Sequence, residues 1–370
     1  MKTINIIVYI ISAIGLLMVI GCAPAFTETK IIGRAGCNDF NPAWSPGGTN
    51  IAFLSEPRSG EPLQIYLWRP EGKNGTIHSI TRYEDFPDGF ELQQIQWHPQ
   101  NNTLLAVYNN DLWMLDTESH QGIQLTRAAE LVPGKIGIDP DMKSVYCPML
   151  PAALLPDMQS RTNSTVIPYL SLITPAIGVS TTFFNEPVID YSIDNATSVI
   201  FAALQQSSGE TRLYEYQPQK PIYSIAPYLK GWRIESVHLV PNNDQWFVSV
   251  SSNDCLGVAF VDRETGFLNF MKDTNDERLP ARAGAWTVNG YLCLTVEEHE
   301  QTTAALYGPF KNLQKPGKAK LQYLNTGIPV SGTVPVPSPT AKKLCIQTVS
   351  QRTNNTAISA DRDFTIITFR

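Results

Sequence analysis

Apolar and polar residues alternate along most of this chain in short runs, a pattern that is typical of half-buried β-strands. The run "NPAWSPGGTNIAFLS", residues 41–55, shows it most clearly. One strand ends at Trp44, a Ser-Pro-Gly-Gly turn follows, and an alternating strand begins at Ile51. "QIYLWRPEG" and "HSIT" come next as a third and a fourth strand. These residues are therefore predicted to form one four-stranded antiparallel unit.

The same unit recurs along the chain. "QIQWHPQNNTLLAVY", "DLWMLDTES" and "IQLT" form a second copy, and weaker copies continue towards the end of the sequence. The markers of the first turn in each copy are Pro46, Pro99, Pro140, Asp194, Pro241, Asn289 and Pro339. A small sheet that is apolar on both faces buries them by stacking on neighbours around an axis. The repeat predicts an all-β fold, a seven-bladed β-propeller of four-stranded blades.

The ring is expected to be closed by a strand near the start of the chain. The seventh unit supplies only three strands before the sequence ends, whereas "TKIIGRAG", residues 29–36, is an extra strand ahead of the first unit. We predict that this N-terminal strand completes the last blade.

The first residues are predicted to lie outside the fold. Lys2 and the apolar run that follows it have the build of a secretory signal. "VIGC", residues 19–22, resembles the lipobox of bacterial lipoproteins, which implies cleavage before Cys22 and acylation of that cysteine. The predicted division is a signal peptide at 1–21, a lipidated tether at 22–30 and the propeller at 31–370. An uncleaved membrane anchor is the alternative.

Charge and cysteine content narrow the range of functions. The formal net charge of −6 comes without a basic cluster, so no nucleic-acid partner is predicted. Besides Cys22 the chain has an odd number of cysteines without zinc-site spacing, and buried thiols are favoured over disulfides, whose pairing the sequence leaves open. These cysteines are Cys37, Cys147, Cys255, Cys293 and Cys345.

The first repeats resemble a known family. "IIGRAGCNDFNPAWSPGGTNIAFLSE" is similar to the TolB-like propeller repeat, in which W-S-P-D-G precedes I-A-F. Here Gly47 replaces the Asp, and His98 replaces the Ser in the second copy. The resemblance covers residues 29–126 and fades beyond them. It implies a non-enzymatic scaffold that binds a protein or peptide, although the same repeat also precedes the catalytic domain of prolyl-oligopeptidase-type peptidases.

Motifs that would indicate catalysis are missing from the sequence. It contains no G-x-S-x-G elbow and no HExxH pair, so we predict no catalytic residue, no metal and no cofactor. The predicted inner strands are "NPAW", "QIQW", "KIGI", "VIDY", "VHLV", "GAW" and "TVPV". They are expected to offer only Asp190 and His238 to the channel as titratable groups, unless Lys135 also turns inward. The alternative is a lyase or glycosidase that acts on a carbohydrate with carboxylates or a metal at the channel mouth.

The longest loops are expected on one face of the ring. They include 55–62, 82–94, 148–169 and 271–284, while the turns on the other face are minimal. Aromatic and Arg side chains dominate the energetics of interfaces, so those on or beside these loops are the candidate anchors for a partner. The candidates are Arg58, Tyr83, Phe86, Trp232, Arg233 and Arg278. The expected setting is the bacterial cell envelope, where a membrane-anchored lipoprotein faces the periplasm or the cell exterior.

Overall fold

A computed structural model describes most of the chain after the predicted signal peptide. The described residues are 26–33, 37–56, 63–71, 75–81, 92–127, 131, 135–138, 144–150, 168–174, 179–194, 199–217, 220, 222–225, 231–240, 246–252, 255–262, 265–273, 275–287, 289–298, 301–308, 310, 320–324, 335–340, 343–354 and 357–369. Every regular element within these ranges is a β-strand. None of them holds a helix long and apolar enough to span a membrane.

The strands are numbered here in chain order. They are β1 Phe26–Ile32, β2 Asn38–Trp44, β3 Ile51–Glu56, β4 Gln64–Arg69, β5 Thr76–Ser79, β6 Leu92–Trp97, β7 Thr103–Tyr108, β8 Asp111–Asp116, β9 Gly122–Gln124, β10 Gly137–Ile138, β11 Val145–Met149, β12 Tyr169–Thr174, β13 Val179–Thr182, β14 Val188–Asp194, β15 Val199–Gln205, β16 Thr211–Tyr216, β17 Tyr223–Ser224, β18 Arg233–Leu239, β19 Trp246–Ser251, β20 Leu256–Val261, β21 Leu268–Phe270, β22 Ala281–Trp286, β23 Leu292–Glu298, β24 Gln301–Gly308, β25 Lys320–Tyr323, β26 Val336–Pro337, β27 Lys343–Asn354 and β28 Ala357–Phe369.

Antiparallel pairing groups these strands in fours. Five sheets have four strands each, and a sixth sheet has eight. The eight-stranded sheet divides at its parallel bridge between Asn38 and Arg362 into β2–β5 and a group of β26, β27, β28 and β1. We number the groups in chain order as blades 1 to 7, with β2–β5 as blade 1 and the group that contains β1 as blade 7. The first strand of blades 1 to 6, and β26 in blade 7, is called the inner strand.

The N-terminal strand closes the last blade, as the sequence predicts. β1 pairs antiparallel with β28, from Phe26 opposite Phe369 to Ile32 opposite Phe364. The pairing begins within the segment 22–30 that the sequence assigns to the tether. Blade 7 therefore joins the N-terminal strand β1 to the last hairpin, and β28 has partners on both sides.

The hydrophobic core is divided among the contacts between blades. Each of seven clusters of buried side chains joins residues of two consecutive blades, and the cluster around Phe53, Trp44 and Phe364 joins blade 7 to blade 1. Cys255 is exposed, so the expectation of a buried thiol was wrong at that position. Cys147, Cys293 and Cys345 are fully buried in these clusters as free thiols, which confirms the preference for buried thiols there. Burial raises the pKa of each of these thiols.

Repeated residues make repeated contacts. The indole N–H of Trp44 donates to the carbonyl of Val336 at 3.0 Å, and that of Trp97 donates to the carbonyl of Ala43 at 2.9 Å. Each tryptophan thus ties the end of its inner strand to the inner strand of the preceding blade. Gly48, which has φ +65°, lets the first turn of blade 1 approach Ser338 of blade 7, because a Cβ at Gly48 would lie 2.4 Å from Ser338 Oγ.

Candidate functional site

Several predicted site residues lie outside the described residues. They are Cys22, Arg58, Tyr83 and Phe86. Their assigned roles, lipidation for Cys22 and partner binding for the other three, remain predictions. Trp232, Arg233 and Arg278 are described.

Trp232 and Arg278 come together at one end of blade 5. The guanidinium carbon of Arg278 lies 4.6 Å from the ring centroid of Trp232 and 4.0 Å from that of Phe270. The two rings are 5.0 Å apart between centroids. Trp232 precedes the inner strand β18, Phe270 ends the outer strand β21, and Arg278 lies between β21 and β22. All three therefore belong to the end of the ring where outer strands lead into the next inner strand, the face predicted to carry the long loops. We call these three residues the Arg278 cluster.

Local structure explains why these side chains meet. Gly257, near the start of β20, lies beneath the cluster, and a Cβ there would come within 3.0 Å of the Phe270 ring and 3.2 Å of Arg278 Cδ. In the loop, Asp273 Oδ1 accepts backbone N–H groups from Asn275 at 2.8 Å and Glu277 at 2.9 Å. This turn brings Arg278 back to form a β-bridge with Lys272. A glycine and a side-chain-capped turn thus position the guanidinium over the two rings.

Arg233 has a different setting from its neighbour Trp232. It is exposed at the first position of β18, where its backbone pairs with Ser251. Among the described residues, no ring or carboxylate contacts its side chain. Arg233 therefore borders the Arg278 cluster in sequence, while Phe270 is the third member that the sequence did not single out.

An ion-paired group lies at the same end of blades 5 and 6. Arg282 Nε lies 3.2 Å from Glu235 Oε2, and Arg282 Nη1 lies 3.0 Å from Glu297 Oε1. Glu235 and Arg282 both lie on inner strands, β18 and β22. The inner strands therefore carry titratable groups besides Asp190 and His238, which the predicted inner-strand pieces did not include. Both strands begin earlier than the apolar pieces "VHLV" and "GAW" suggest, and the missed residues lie in those first positions.

Lys135 does turn towards the inner strands of later blades. Its ammonium donates to the carbonyl of Val237 in blade 5 at 3.1 Å and lies 3.7 Å from Asp190 Oδ2 in blade 4. The same Asp190 oxygen accepts the N–H of Val237 at 2.7 Å. Lys135 itself precedes β10 of blade 3. Three residues thus link three consecutive blades, which favours a structural role for this carboxylate.

Asp190 and His238 engage different partners. The Nε2 atom of His238 lies 2.9 Å from Ser236 Oγ, and its ring stacks on Phe247 with centroids 4.9 Å apart and planes 13° apart. Burial, and secondarily the nearby Lys135 ammonium, hold the pKa of His238 well below its ordinary value. The imidazole is therefore neutral near pH 7. A neutral ring stacked on a core phenylalanine and a carboxylate tied to a backbone N–H do not form an acid–base pair.

Metal ligands are also dispersed in the part of the chain that the structure describes. Within it, no three His, Cys, Asp or Glu side chains gather into a group that could hold an ion. His98 and His120 lie in connections between strands, whereas His78 lies on β5 and His238 on β18.

Similarity to known proteins was found by comparing structures and not by comparing sequences. No family model matches this sequence, and no curated protein matches it. An oligogalacturonate lyase in complex with manganese superposes with a TM-score of 0.60 and 12% identity, over 94% of this chain and 96% of the lyase chain. A structure from a study of two prolyl endopeptidases superposes with a TM-score of 0.58 and 12% identity, over 89% of this chain. The chain has the β-propeller fold.

The superpositions also limit which properties of these neighbours apply to this chain. This chain spans half of the prolyl endopeptidase, since the superposition covers 50% of that chain. TolB from Acinetobacter baumannii gives a TM-score of 0.49 and 11% identity, over 75% of this chain and 64% of TolB. The expectation of a β-propeller is confirmed by the superpositions on the lyase and the prolyl endopeptidase. Because the neighbours include enzymes, the fold leaves the choice between scaffold and enzyme to the side chains.

Proposed function

We propose that this protein is a non-enzymatic binding scaffold of the cell envelope, which docks a protein or peptide partner on the face that carries the Arg278 cluster. The observation that supports the proposal is the stacking of an exposed guanidinium on two aromatic rings at the end of blade 5. Trp and Arg are the residue types most enriched where interfaces bind most tightly. The cluster gives a partner a flat surface with an apolar body and a cationic edge.

The side chains favour binding over catalysis. A catalytic site needs several ionisable groups that point at the substrate and are not already occupied by hydrogen bonds or ion pairs within the protein. Here Asp190, Arg282 and Glu235 are each satisfied by a neighbouring blade, so their geometry stabilises the ring. The Arg278 cluster differs, because no carboxylate among the described residues forms an ion pair with Arg278. A partner's carboxylate or carbonyl group is the acceptor that this guanidinium fits.

Substitution in the Arg278 cluster tests the proposal. Capture from envelope extract with the purified protein, followed by quantitative mass spectrometry, is expected to lose a partner when Trp232→Ala or Arg278→Ala is used as bait. Removing an interface anchor of this type costs about 2 kcal/mol or more, roughly a thirtyfold loss of affinity.

The matched control removes a charge at the opposite end of the ring. Lys220 is exposed beside the turn that precedes β17, so Lys220→Ala is expected to keep the partner. A protein captured by the wild type and Lys220→Ala, and lost from both cluster variants, is the predicted partner. If every captured protein is retained by Trp232→Ala and Arg278→Ala, the cluster is not the docking site.

We also propose that Cys22 anchors the protein in the membrane through its lipid, facing the periplasm or the cell exterior. The support is the lipobox resemblance of residues 19–22. Stable anchoring requires more than one acyl chain, at about 0.8 kcal/mol per buried CH₂, which the acylated cysteine of lipoproteins provides. Cys22→Ser is expected to move the protein from the membrane fraction to a soluble fraction after cell lysis. Cys255→Ser, at an exposed thiol, is the control; retention of Cys22→Ser in the membrane would contradict the anchor.

A further inference from the structure

A cavity of about 220 Å³ lies between the inner strands of blades 2, 3 and 4, and none of its lining residues belongs to the Arg278 cluster. It reaches from Lys135 to Pro99, which follows the inner strand of blade 2. The cavity adjoins β10, which is only two residues long, whereas the neighbouring inner strands β6 and β14 have six and seven. Ile136 lies just before β10, and its N–H donates to Gln96 Oε1 of blade 2 at 3.3 Å.

Hydrogen-bond donors line the cavity. The Gln96 oxygen accepts the N–H of Ile136, and its amide NH₂ has no hydrogen-bond partner among the residues that the structure describes. The hydroxyl of Ser192 has no hydrogen-bond partner among the described residues. Lys135 has three N–H donors, of which one donates to the carbonyl of Val237, while its ammonium lies 3.7 Å from Asp190 Oδ2 and its side chain is 38% exposed. The polar part of the wall therefore offers donors to a ligand that accepts.

The charge of the wall is positive. Among the described lining residues, Lys135 alone is charged, and no carboxylate is present. Asp190 is not a lining residue, and its Oδ2 atom is bonded to the N–H of Val237 at 2.7 Å. The wall thus favours an anion, although Asp190 partly offsets the ammonium charge.

The rest of the wall is apolar. The indole N–H of Trp97 is already bonded to Ala43, and the hydroxyl of Tyr191 lies 2.7 Å from the carbonyl oxygens of Lys135 and Tyr146. The other apolar lining residues are Pro99, Ile136, Ile138 and Ile193. We propose that this cavity binds a small carboxylate that bears an apolar group, with the carboxylate at Gln96, Lys135 and Ser192 and the apolar group against Trp97.

N-acetyl-L-leucine is a suitable probe, and its amide, N-acetyl-L-leucinamide, is the matched uncharged compound. Titration followed by protein NMR is expected to give saturable binding of the acid with a Kd on the order of 1 mM, the range for a ligand of this size. The amide is expected to bind at least tenfold more weakly. Equal binding of acid and amide, or no saturation by the acid at concentrations roughly tenfold above that Kd, would overturn the proposal.

Two substitutions locate the site. Gln96→Glu keeps an acceptor for the Ile136 N–H but places a carboxylate in the cavity, so binding of the acid is expected to fall more than tenfold. Ser192→Ala removes one donor and is expected to weaken binding about three- to tenfold. Gln205→Glu makes the same charge change at a half-buried position on β15, outside the cavity, and is expected to leave binding unchanged.

The variants distinguish binding in this cavity from binding elsewhere on the protein. Each variant is first compared with the wild type by thermal unfolding. If Gln96→Glu is unstable, the affinity of Ser192→Ala for the acid decides whether the acid binds in this cavity. If Gln205→Glu weakens binding as much as Gln96→Glu does, or if Ser192→Ala has no effect, the acid binds elsewhere and the proposal fails. Neither result bears on the Arg278 cluster, because the cavity and the cluster share no residue.

Discussion

A protein that begins at Gly33, and so lacks β1, is expected to lose most of its stability. β1 supplies the fourth strand of blade 7, paired with β28 from Phe26 to Ile32. Ile32 is also buried in the cluster that joins blade 7 to blade 1. Loss of these hydrogen bonds and of this apolar contact is expected to lower the free energy of unfolding by on the order of 5 kcal/mol, a large part of the total for a domain.

Urea unfolding followed by tryptophan fluorescence measures this effect. The control is a protein that begins at Phe26, so that it keeps β1 and lacks only the residues before it. It is expected to unfold at the same urea midpoint as a protein that begins at residue 22. Removal of β1 also exposes the edge of β28, and an unpaired edge strand favours aggregation. Light scattering is therefore expected to rise with the shorter protein only. Equal midpoints for the two proteins would show that β1 is dispensable for closing the ring.

Much of the fold is predictable from sequence because each blade repeats one local pattern. Trp44 and Trp97 mark the ends of inner strands, and the turn after each is encoded by Pro and Gly in blade 1 and by Pro and Asn in blade 2. The length of the last hairpin was not predicted. β27 and β28 remain paired as far as Asn354 opposite Ala357, through a mostly polar stretch in which apolar residues do not alternate regularly. Backbone pairing there continues without the side-chain pattern on which the prediction depends.

The candidate site was only partly predictable. Trp232 and Arg278 stand out by residue type on a predicted loop face, but their contact depends on Phe270 and on the absence of a side chain at Gly257. Neither residue is unusual in its own segment. The contact arises between the outer strand β21 and a loop that a single Asp273-capped turn folds back. Such a contact depends on three-dimensional register, which one sequence does not provide.

The inner strands show a second limit of the sequence. The apolar pieces predicted as inner strands locate β18 and β22 correctly but omit their first residues, which include Glu235 and Arg282. β18 and β22 each contain a register shift next to these residues, between Ile234 and Ser236 and between Ala283 and Ala285. A bulge of this kind shifts the alternation of side chains by one position. A strict period of two therefore fails at the end of the strand where the ion pairs lie.

Trp246→Ala is expected to destabilise the ring strongly by opening a cavity between blades 4 and 5. Trp246 on β19 is fully buried, and its ring centroid lies 4.0 Å from that of Phe201 on β15. It belongs to the cluster that also contains Leu213, Ile234 and Val248. Truncation of a buried aromatic side chain to Ala lowers the free energy of unfolding by about 3–5 kcal/mol. Urea unfolding of the purified variant measures the loss.

Trp246→Phe separates packing from hydrogen bonding at the same position. The buried indole N–H of Trp246 has no hydrogen-bond partner among the described residues, so a phenylalanine keeps most of the aromatic contact and removes a polar group that gains nothing from burial. We expect Trp246→Phe to change the free energy of unfolding by less than about 1.5 kcal/mol, well below the effect of Trp246→Ala. If both variants lose the same amount, the indole N–H has a partner that stabilises it, and the tryptophan is held by hydrogen bonding as well as by packing against Phe201.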